Sequence, residues 1–463
     1  MQDVIAKSAV EVTGLLARAE VTAAELLAAV EARIAVVDPQ VNALPTRCVD
    51  RAAQARPVAP LHGLPVAVKD LSDVRGVRTT YGALIHADHV PDTDAHVVDR
   101  IEAAGGAIHA KSNTPEFGAG AQTFNAVFGV TRNPWNTALS PAGSSGGAAV
   151  ALKTGMTWLA HGSDLGGSLR NPASFCGIVG LRPSPGRVPR GPSVDPWGSL
   201  SVDGPMARSV ADVALFLDAL SGHDPREAIS LPAPATPFLA AAQAPRLPRR
   251  VAFSPDLGGL TPVDPEVAAI CAAAARRLER LGVAVEEASP DFSGAHETFQ
   301  TLRAQGFAAS HAEALHQHRD RLAPNVVWNT DKGLALTGAE VGRALRHRGV
   351  LMRRMRAFMA GFDLLLSPAT IVPPFPVDQP HVAECAGVRF ETYVDWLAIA
   401  YAITLTGHPA LSLPCGFTAS GLPVGLQMVG GWQGEAALLS AAAALEADLG
   451  FDPAPIDPRG PPA

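Results

Sequence analysis

The stretch SPAGSSGGAAVALKTGMTWLAHGSDLGGSLRNPASFCGIVGLRPSPGRVPR, residues 140–190, contains two clusters of glycine and serine. The first is Gly143-Ser144-Ser145-Gly146-Gly147 and the second is Asp164-Leu165-Gly166-Gly167-Ser168. Glycine loses the most backbone freedom on folding, so such clusters are typical of places where backbone N–H groups approach a ligand closely. Serine hydroxyls beside such donors are the groups that an acyl-transfer site needs. For either cluster alone, a flexible turn is the alternative interpretation.

The composition predicts a globular chain with a large core, because 47% of the 463 residues are hydrophobic and 17% are charged. The net charge is −7, from 37 basic and 44 acidic side chains, which gives no overall electrostatic reason to bind nucleic acid or an anionic membrane. The first twenty residues include acidic side chains and lack a continuous apolar run, so we expect no signal peptide. The most apolar long stretch, residues 396–415, is interrupted by polar side chains, which favours a buried segment over a membrane span.

The cysteines are few, odd in number and widely scattered along the chain. No two of them have the spacing of metal ligands, so we expect neither a disulfide framework nor a zinc site. Reduced thiols in a cytoplasmic protein, each acting as a small core residue, fit this pattern best. The five positions are Cys48, Cys176, Cys271, Cys385 and Cys415.

Strand and helix patterns alternate in residues 251–287, which predicts a parallel or mixed sheet with helices packed on it. An earlier apolar run, LPVAV at residues 64–68, predicts a buried strand that ends in Lys69. Because open α/β sheets bind ligands beyond their strand ends, this lysine could project into a cleft, or it could simply be solvated. Residues 231–250, rich in alanine and proline, predict an extended connection.

The first glycine cluster formally matches G-x-S-x-G, the nucleophile elbow of α/β-hydrolases, but that motif needs a strand before it. The preceding residues, NPWNTALSPA, show no strand pattern, and no Gly-Lys-Ser/Thr follows that would indicate a P-loop. A nucleophilic serine needs a base. His161 is near Ser168 in sequence, but we interpret it as a hydrogen-bonded loop residue. A lysine can serve instead if burial lowers its pKa.

Taken together, these residues resemble the amidase signature family of serine amidohydrolases. The resemblance is dense over residues 62–212 and weaker at residues 364–370, 406–416 and 421–430. The spacings of Lys69, Ser144 and Ser168 along the chain also look like those of the family. The dense matches are HGLPVAVKD, AKSNTPEF, NPWN, SPAGSSGG, SDLGGSLRNPASFCGIVGLRPSPGRV and DGPMARSVAD.

The resemblance implies a role for each motif residue. Ser168 would be the nucleophile, Ser144 a bridging serine that follows a cis peptide bond from Gly143, and Lys69 the terminal base. Asp164, Arg170 and the neighbouring serine of the first cluster would support the loops. The oxyanion hole would be formed by the backbone N–H groups of Leu165, Gly166, Gly167 and Ser168, and the supporting set is Gly143, Ser145, Asp164 and Arg170.

Two positions depart from the family pattern. Ala142 stands where a glycine is usual and Ala148 where a serine is common, and we expect only small loop changes from either. The implied reaction is hydrolysis of a carboxylic amide through an acyl-enzyme on Ser168, with release of ammonia or an amine. The resemblance implies that no metal or organic cofactor is needed.

The fold implied by the resemblance is α/β, with a large, mixed, mostly parallel twisted sheet covered by helices on both faces. Residues 1–60 would be N-terminal helices packed on the core, and residues 61–450 a single α/β/α domain. Within that domain, residues 299–358 would form a variable, mostly helical cover. Residues 451–463 would be a proline-rich tail.

Three alternative functions remain open at this stage. The chain could be the catalytic A-type subunit of a glutamyl-tRNA amidotransferase, or an amidohydrolase of s-triazine or biuret degradation that needs a small accessory protein. A non-catalytic binding protein is disfavoured because Lys69, Ser144 and Ser168 are all present. The expected partner is a small amide, and further partners would be a second copy of the chain in a homodimer or a small accessory subunit. Candidates for the acyl pocket are Val127, Phe128, Trp197, residues 299–358 (including His316, His318 and Trp328) and residues 393–396.

Overall fold

An 11-stranded sheet forms the centre of the molecule in the computed structural model, which describes residues 2–460. The strands are β1 (Thr46–Arg47), β2 (Pro65–Lys69), β3 (Ala107–Ser112), β4 (Phe124–Asn125), β5 (Gly129–Val130), β6 (Leu159–Asp164), β7 (Val179–Arg182), β8 (Val202–Ala207), β9 (Arg250–Phe253), β10 (Ala284–Glu287), β11 (Leu364–Pro368), β12 (Glu384–Cys385), β13 (Val388–Arg389), β14 (Ala410–Phe417) and β15 (Pro423–Val429). The order in the large sheet is β1-β3-β2-β6-β8-β7-β14-β15-β11-β9-β10. The pairs β4–β5 and β12–β13 form separate two-stranded ribbons.

The sheet is mixed, as the sequence predicts, but it is not mostly parallel. Parallel pairing joins β2 to β3 and β6, and joins β9 to β10 and β11. The remaining pairings of the large sheet are antiparallel, and they include the hairpin β14–β15. Every residue of β2, β3, β8 and β15 is buried, so both faces of the sheet are covered. Strands that are buried along their whole length give no sign of their direction, which explains the error.

Helices cover the sheet and alternate with its strands along much of the chain. They are α1 (Gln2–Ala6), α2 (Ala9–Ala17), α3 (Ala23–Val41), α4 (Val49–Ala52), α5 (His96–Ala103), α6 (Gly146–Lys153), α7 (Arg170–Cys176), α8 (Val210–Leu220), α9 (Phe238–Gln243), α10 (Pro265–Arg280), α11 (Ala295–His318), α12 (Pro324–Leu334), α13 (Gly338–Met359), α14 (Ala398–Thr406) and α15 (Glu435–Leu449). Short 3₁₀ turns lie at Leu84–His86, Glu116–Gly118, Arg319–Arg321 and Asp395–Leu397. Over residues 2–460, no helix combines the length and apolar character that a membrane crossing needs.

The first helices start where the sequence places their caps. Ser8 and Thr22 each accept a hydrogen bond from the backbone N–H three residues later, and the glutamate there bonds back to the cap. An N-cap of this kind stabilises a helix by about 1 kcal/mol. The sequence predicts that the second of these helices ends near Asp38-Pro39, and α3 runs slightly further, to Val41.

The connection at residues 231–250 is not purely extended, which corrects the prediction from its composition. It contains α9, whose first residue, Phe238, is buried. The backbone N–H groups of Phe238 and Leu239 donate to the carboxylate of Asp218 at 2.7 and 2.9 Å, so a side chain of α8 caps this helix. Local composition could not reveal an acceptor supplied by another helix.

The sequence pattern misses two strands, β6 and β8. They pair with each other, and β6 leads directly into the second glycine-serine cluster. Both contain glycine and aspartate, and β8 also contains a proline; all three residue types are depleted in strands. β6 pairs in parallel with β2, with Val66 opposite Leu159 and Ala67 opposite Ala160. The carboxyl ends of these neighbouring strands therefore lie together, and Lys69 is brought beside the second glycine-serine cluster.

Candidate active site

Lys69 is the last residue of β2 and is fully buried. Its Nζ donates hydrogen bonds to Ser144 Oγ at 2.7 Å, Ser145 Oγ at 2.9 Å and Ser163 Oγ at 3.1 Å. Burial lowers the pKa of Lys69 from 10.5 to about 7, and the negative charges of nearby aspartates only partly offset this effect. Near neutral pH, a large fraction of this amine is therefore uncharged and can accept a proton.

The first glycine-serine cluster forms the loop before α6, and its peptide bond Gly143–Ser144 is cis. The two glycines that follow the serines are needed for close packing. A methyl group on Gly146 would lie 2.2 Å from Thr123 Oγ1, and one on Gly147 would lie 2.4 Å from a backbone nitrogen. Any larger residue would push the loop outward, and Ser144 would move away from Lys69.

The second cluster forms the turn between β6 and α7, and Ser168 is half-buried there. The Ser168 carbonyl accepts a hydrogen bond from Ser145 N at 3.3 Å, so the two clusters are in direct contact. In residues 2–460, the Ser168 hydroxyl makes no hydrogen bond to Ser144. Hydrogen bonds of a catalytic relay are often long without substrate, so this geometry leaves the relay intact as a hypothesis.

Three backbone N–H groups in this turn have no hydrogen-bond acceptor within the described chain: those of Leu165, Gly166 and Ser168. The fourth member of the expected oxyanion hole, Gly167, differs. Its N–H donates to Asp164 Oδ1 at 3.0 Å, and its φ is +108°. Three of the four N–H groups expected in the oxyanion hole are therefore free, because the Asp164 carboxylate occupies the fourth.

The carboxylate of Asp164 fixes the shape of the turn. It accepts hydrogen bonds from Leu169 N at 3.1 Å and from Arg170 at 2.8 and 3.1 Å, and Arg182 Nη1 lies 3.3 Å away. Burial alone would raise the pKa of Asp164, but the two guanidinium charges hold that pKa well below its ordinary value. Arg170 also donates to Gln427 Oε1 on β15 at 2.6 Å. The turn is thereby tied to the centre of the sheet.

His161 is a strand residue and not the loop residue that the sequence suggests. It lies on β6 opposite Pro205 and is buried. Its Nε2 is 3.7 Å from Asp203 Oδ2, too far for a hydrogen bond. Within residues 2–460 it makes no contact of hydrogen-bond length with Ser168. The structure therefore gives no support to a histidine base.

Two residues of the site were missed by sequence reasoning. Ser163, at the end of β6, contacts the Lys69 amine directly, and Arg182, at the end of β7, balances the charge of Asp164. Burial lowers the pKa of Arg182 to about 10, although Asp164 opposes this shift. Ser163 precedes Asp164 in the quoted motif, which is the one signal that could have identified it.

The acyl-pocket candidates occupy different environments. Phe299 is buried, and its Cζ lies 3.4 Å from where a methyl group on Gly166 would be. Tyr393 and Trp396 are also buried. Val127, Phe128, His318 and Trp328 are half-buried, and His316 is exposed. Trp197 is 72% exposed at the surface. Within the part of the chain described, no group of three or more His, Cys, Asp or Glu side chains is arranged to hold a metal ion.

Comparison with known proteins identifies the family of the chain. The chain matches the Amidase family over residues 22–439. It is 36% identical to the acylamidase of Rhodococcus erythropolis over 95% of both chains. It is also 36% identical to the A-type subunit of the glutamyl-tRNA(Gln) amidotransferase of Thermus thermophilus, over 94% of this chain and 96% of that protein.

Solved structures agree with the sequence relatives. A 6-aminohexanoate cyclic dimer hydrolase superposes with a TM-score of 0.90 at 29% identity, over 98% of this chain and 99% of that one. A bacterial aryl acylamidase of the amidase signature enzymes superposes with a TM-score of 0.89 at 26% identity, over 97% and 98% of the two chains. The resemblance found in the motifs is confirmed: the chain belongs to the amidase signature family of amide-cleaving enzymes.

Proposed function

We propose that the chain by itself hydrolyses carboxylic amides through an acyl-enzyme on Ser168. One observation carries the proposal: the Lys69 amine is fully buried and its hydrogen-bond partners are serine hydroxyls, one of which belongs to Ser144. A buried amine with a lowered pKa is a competent base at neutral pH, and its surroundings offer it a hydroxyl as the route for a proton.

The reaction follows from this arrangement in two halves. Ser168 Oγ attacks the amide carbon while its proton passes to Ser144, and Ser144 passes its own proton to Lys69. The C–N bond then breaks, the amine leaves with the proton returned along the same path, and the acyl group stays on Ser168. Water repeats the sequence to release the acid. The free N–H groups of Leu165, Gly166 and Ser168 would stabilise the oxyanion, each such donor lowering the barrier by about 2.7–4 kcal/mol.

The bonds made and broken in this scheme involve only the amide, Ser168 and water, and the proton transfers use the side chains of the chain itself, so the proposal requires no cofactor. The five cysteines are buried and unbonded within the described residues, which supports a reducing, cytoplasmic setting.

A second candidate is the catalytic subunit of a partner-dependent amidotransferase. It is favoured by the 36% identity to the A-type subunits of amidotransferases over most of both chains. The two candidates differ in one measurable property. A free-standing hydrolase turns over simple amides as an isolated chain, whereas a partner-dependent enzyme gains that activity only with its partners.

The test combines labelling with turnover. The purified chain is treated with a fluorophosphonate, and the modified peptide is located by mass spectrometry. It is then assayed on aliphatic, aromatic and urea-like amides by ammonia or amine release. We expect a single label on Ser168 and steady turnover, both lost in Ser168→Ala and both kept in the control Ser420→Ala, which changes an exposed serine. A label on another residue would contradict the assignment, and an isolated chain that is labelled but inactive on all amides would favour the partner-dependent candidate.

A further inference from the structure

One face of α11 adjoins the candidate active site. Residues four apart on a helix lie on the same face. Three of the side chains on this face are aromatic and one is a guanidinium, and three of the four are at least nine-tenths buried. The face consists of Phe299, Arg303, Phe307 and His311.

One end of this face contacts the turn of Ser168, and the other end contacts a residue that adjoins Ser144 through its neighbour in sequence. At one end, Phe299 packs against the turn that holds Ser168, with its Cζ 3.4 Å from where a methyl group on Gly166 would be. At the other end, the ring of His311 packs 4.3 Å from that of Phe117. The residue after Phe117 is a glycine, and a methyl group there would lie 3.4 Å from Ser144 Oγ.

Arg303 follows Phe299 by four residues on the same face, so it lies about 6 Å further along α11 than the residue that packs against the Ser168 turn. Its side chain is 8% exposed. Nε donates to Asn329 Oδ1 at 3.2 Å and Nη2 to Tyr393 Oη at 2.6 Å. The guanidinium carbon is 4.7 Å from the ring centroid of Phe307 and 5.7 Å from that of Tyr393. All of these partners are uncharged, and Nη1 makes no hydrogen bond to any residue that the structure describes.

No carboxylate in residues 2–460 lies within 4 Å of this guanidinium. Two buried carboxylates of the surrounding elements have other partners. Asp395 accepts hydrogen bonds from Thr392 N at 2.7 Å and Gln300 Nε2 at 3.1 Å, and Glu116 accepts from Ala323 N at 3.1 Å. A buried charge without a counter-charge is unfavourable. An anion arriving with a ligand would remove this cost and complete the hydrogen bonding of the guanidinium.

We propose that Arg303 binds a carboxylate carried by the substrate, so that the enzyme prefers amides that bear an anionic group. The inference rests on the proposed amide hydrolysis at Ser168 and adds a substrate class to it. A guanidinium presents a planar fork of N–H donors that matches the two oxygens of a carboxylate. The aromatic rings beside Arg303 fix the plane of that fork and leave one nitrogen free to meet the substrate.

The test uses matched 4-nitroanilides that differ in one carboxylate. Succinyl, glutaryl and adipoyl anilides are compared with butanoyl, pentanoyl and hexanoyl anilides. A fourth pair compares the pentanoyl amides of 4-aminobenzoate and aniline, which places the carboxylate on the leaving half. We expect kcat/KM to be about 10- to 100-fold higher for the anionic member of at least one pair. Arg303→Met removes this preference, and Arg303→Lys restores part of it.

Two controls separate recognition from folding. Arg353→Met changes an exposed arginine of α13 and keeps the wild-type ratio. Free succinate, glutarate and adipate are tested as competitive inhibitors of the wild-type protein, so the inference can be judged even if Arg303→Met does not fold. Inhibition by at least one of them is expected.

The inference is overturned if the wild type prefers the neutral member of every pair, if Arg303→Met keeps the wild-type ratio, or if none of the three dicarboxylates competes. In those cases a protein that still labels at Ser168 and hydrolyses neutral anilides retains the proposed function. Loss of labelling and of all hydrolysis would overturn the proposed function together with this inference.

Discussion

Replacing Lys69 by methionine removes the buried amine and keeps an unbranched side chain in its place. With a pKa of about 7, the wild-type amine is uncharged in ~9% of molecules at pH 6 and in ~91% at pH 8. We therefore expect the wild-type kcat/KM to rise about tenfold over this range. In Lys69→Met it should fall by about 10²- to 10⁴-fold and lose this rise, because no base remains to take the proton.

The same substitution changes how stability depends on pH. The pKa of Lys69 is 10.5 ordinarily and about 7 when folded. Between these values the unfolded chain holds a proton that the folded chain lacks. The free energy of unfolding of the wild type therefore rises with pH, by about 1.4 kcal/mol per pH unit from this group. The cost of burying Lys69 is fully present below pH 7 and disappears above pH 10.5.

Methionine removes this cost but leaves three serine hydroxyls without the amine, at about 1 kcal/mol each. The stability of Lys69→Met relative to wild type is thus expected to be most favourable near pH 7 and to decline toward pH 10. Lys153→Met is the matched control, because that lysine is also buried, with a pKa lowered to about 8. Its Nζ bonds to the carbonyl of Ala454 at 2.9 Å and makes no contact with the serines.

Initial rates on pentanoyl 4-nitroanilide from pH 6 to 8, and thermal unfolding from pH 7 to 10, measure both effects. Lys153→Met should keep the tenfold rise in kcat/KM while its stability changes. A wild-type rate that is flat across this range, or a Lys69→Met enzyme that keeps more than about a tenth of its activity, would refute the assignment of Lys69 as the base.

Further predictions concern the turn that holds Ser168. Asp164→Asn leaves Arg170 and Arg182 buried without their counter-charge, so the free energy of unfolding measured in urea should fall by about 3–5 kcal/mol; a loss below about 1 kcal/mol would contradict this role. Gly167→Ala places a methyl group 2.5 Å from a side-chain oxygen at a φ of +108°, and should cost about 1–3 kcal/mol of stability together with most of the activity. Gly166→Ala places its methyl group at an ordinary contact distance of 3.4 Å and should be milder in both assays; equal losses in the two variants would be inconsistent with this geometry.

The candidate site residues can be proposed from sequence, but their contacts cannot. The motifs identify Lys69, Ser144 and Ser168, which the fold places at adjoining strand ends and loops. Ser163 escapes detection because β6 lacks the β-branched pattern of a strand. The hydrogen bond from the Gly167 N–H to Asp164 is likewise hidden, because a motif match does not show which backbone donors are already occupied.

The fold prediction is also limited to features that are encoded by residues close together in sequence. Helices with capping boxes start where expected, because both partners of the cap lie within four residues of sequence. The direction of strand pairing is set by connections across the whole molecule, and a run of buried residues such as β15 is compatible with either direction. α9 forms because Asp218 of another helix caps it, which no local pattern contains.

The parallel pairing of β2 with β6 has a consequence for how this enzyme could diverge. Backbone hydrogen bonds hold the amine and the nucleophile turn together, whereas the helices above them, α11–α13, come from residues 295–359 and contribute no strand to the sheet. A duplicated gene could therefore accumulate substitutions in residues 295–359 and encode an enzyme with a different amide specificity. The strand pairing that positions Lys69 beside the Ser168 turn would be retained throughout.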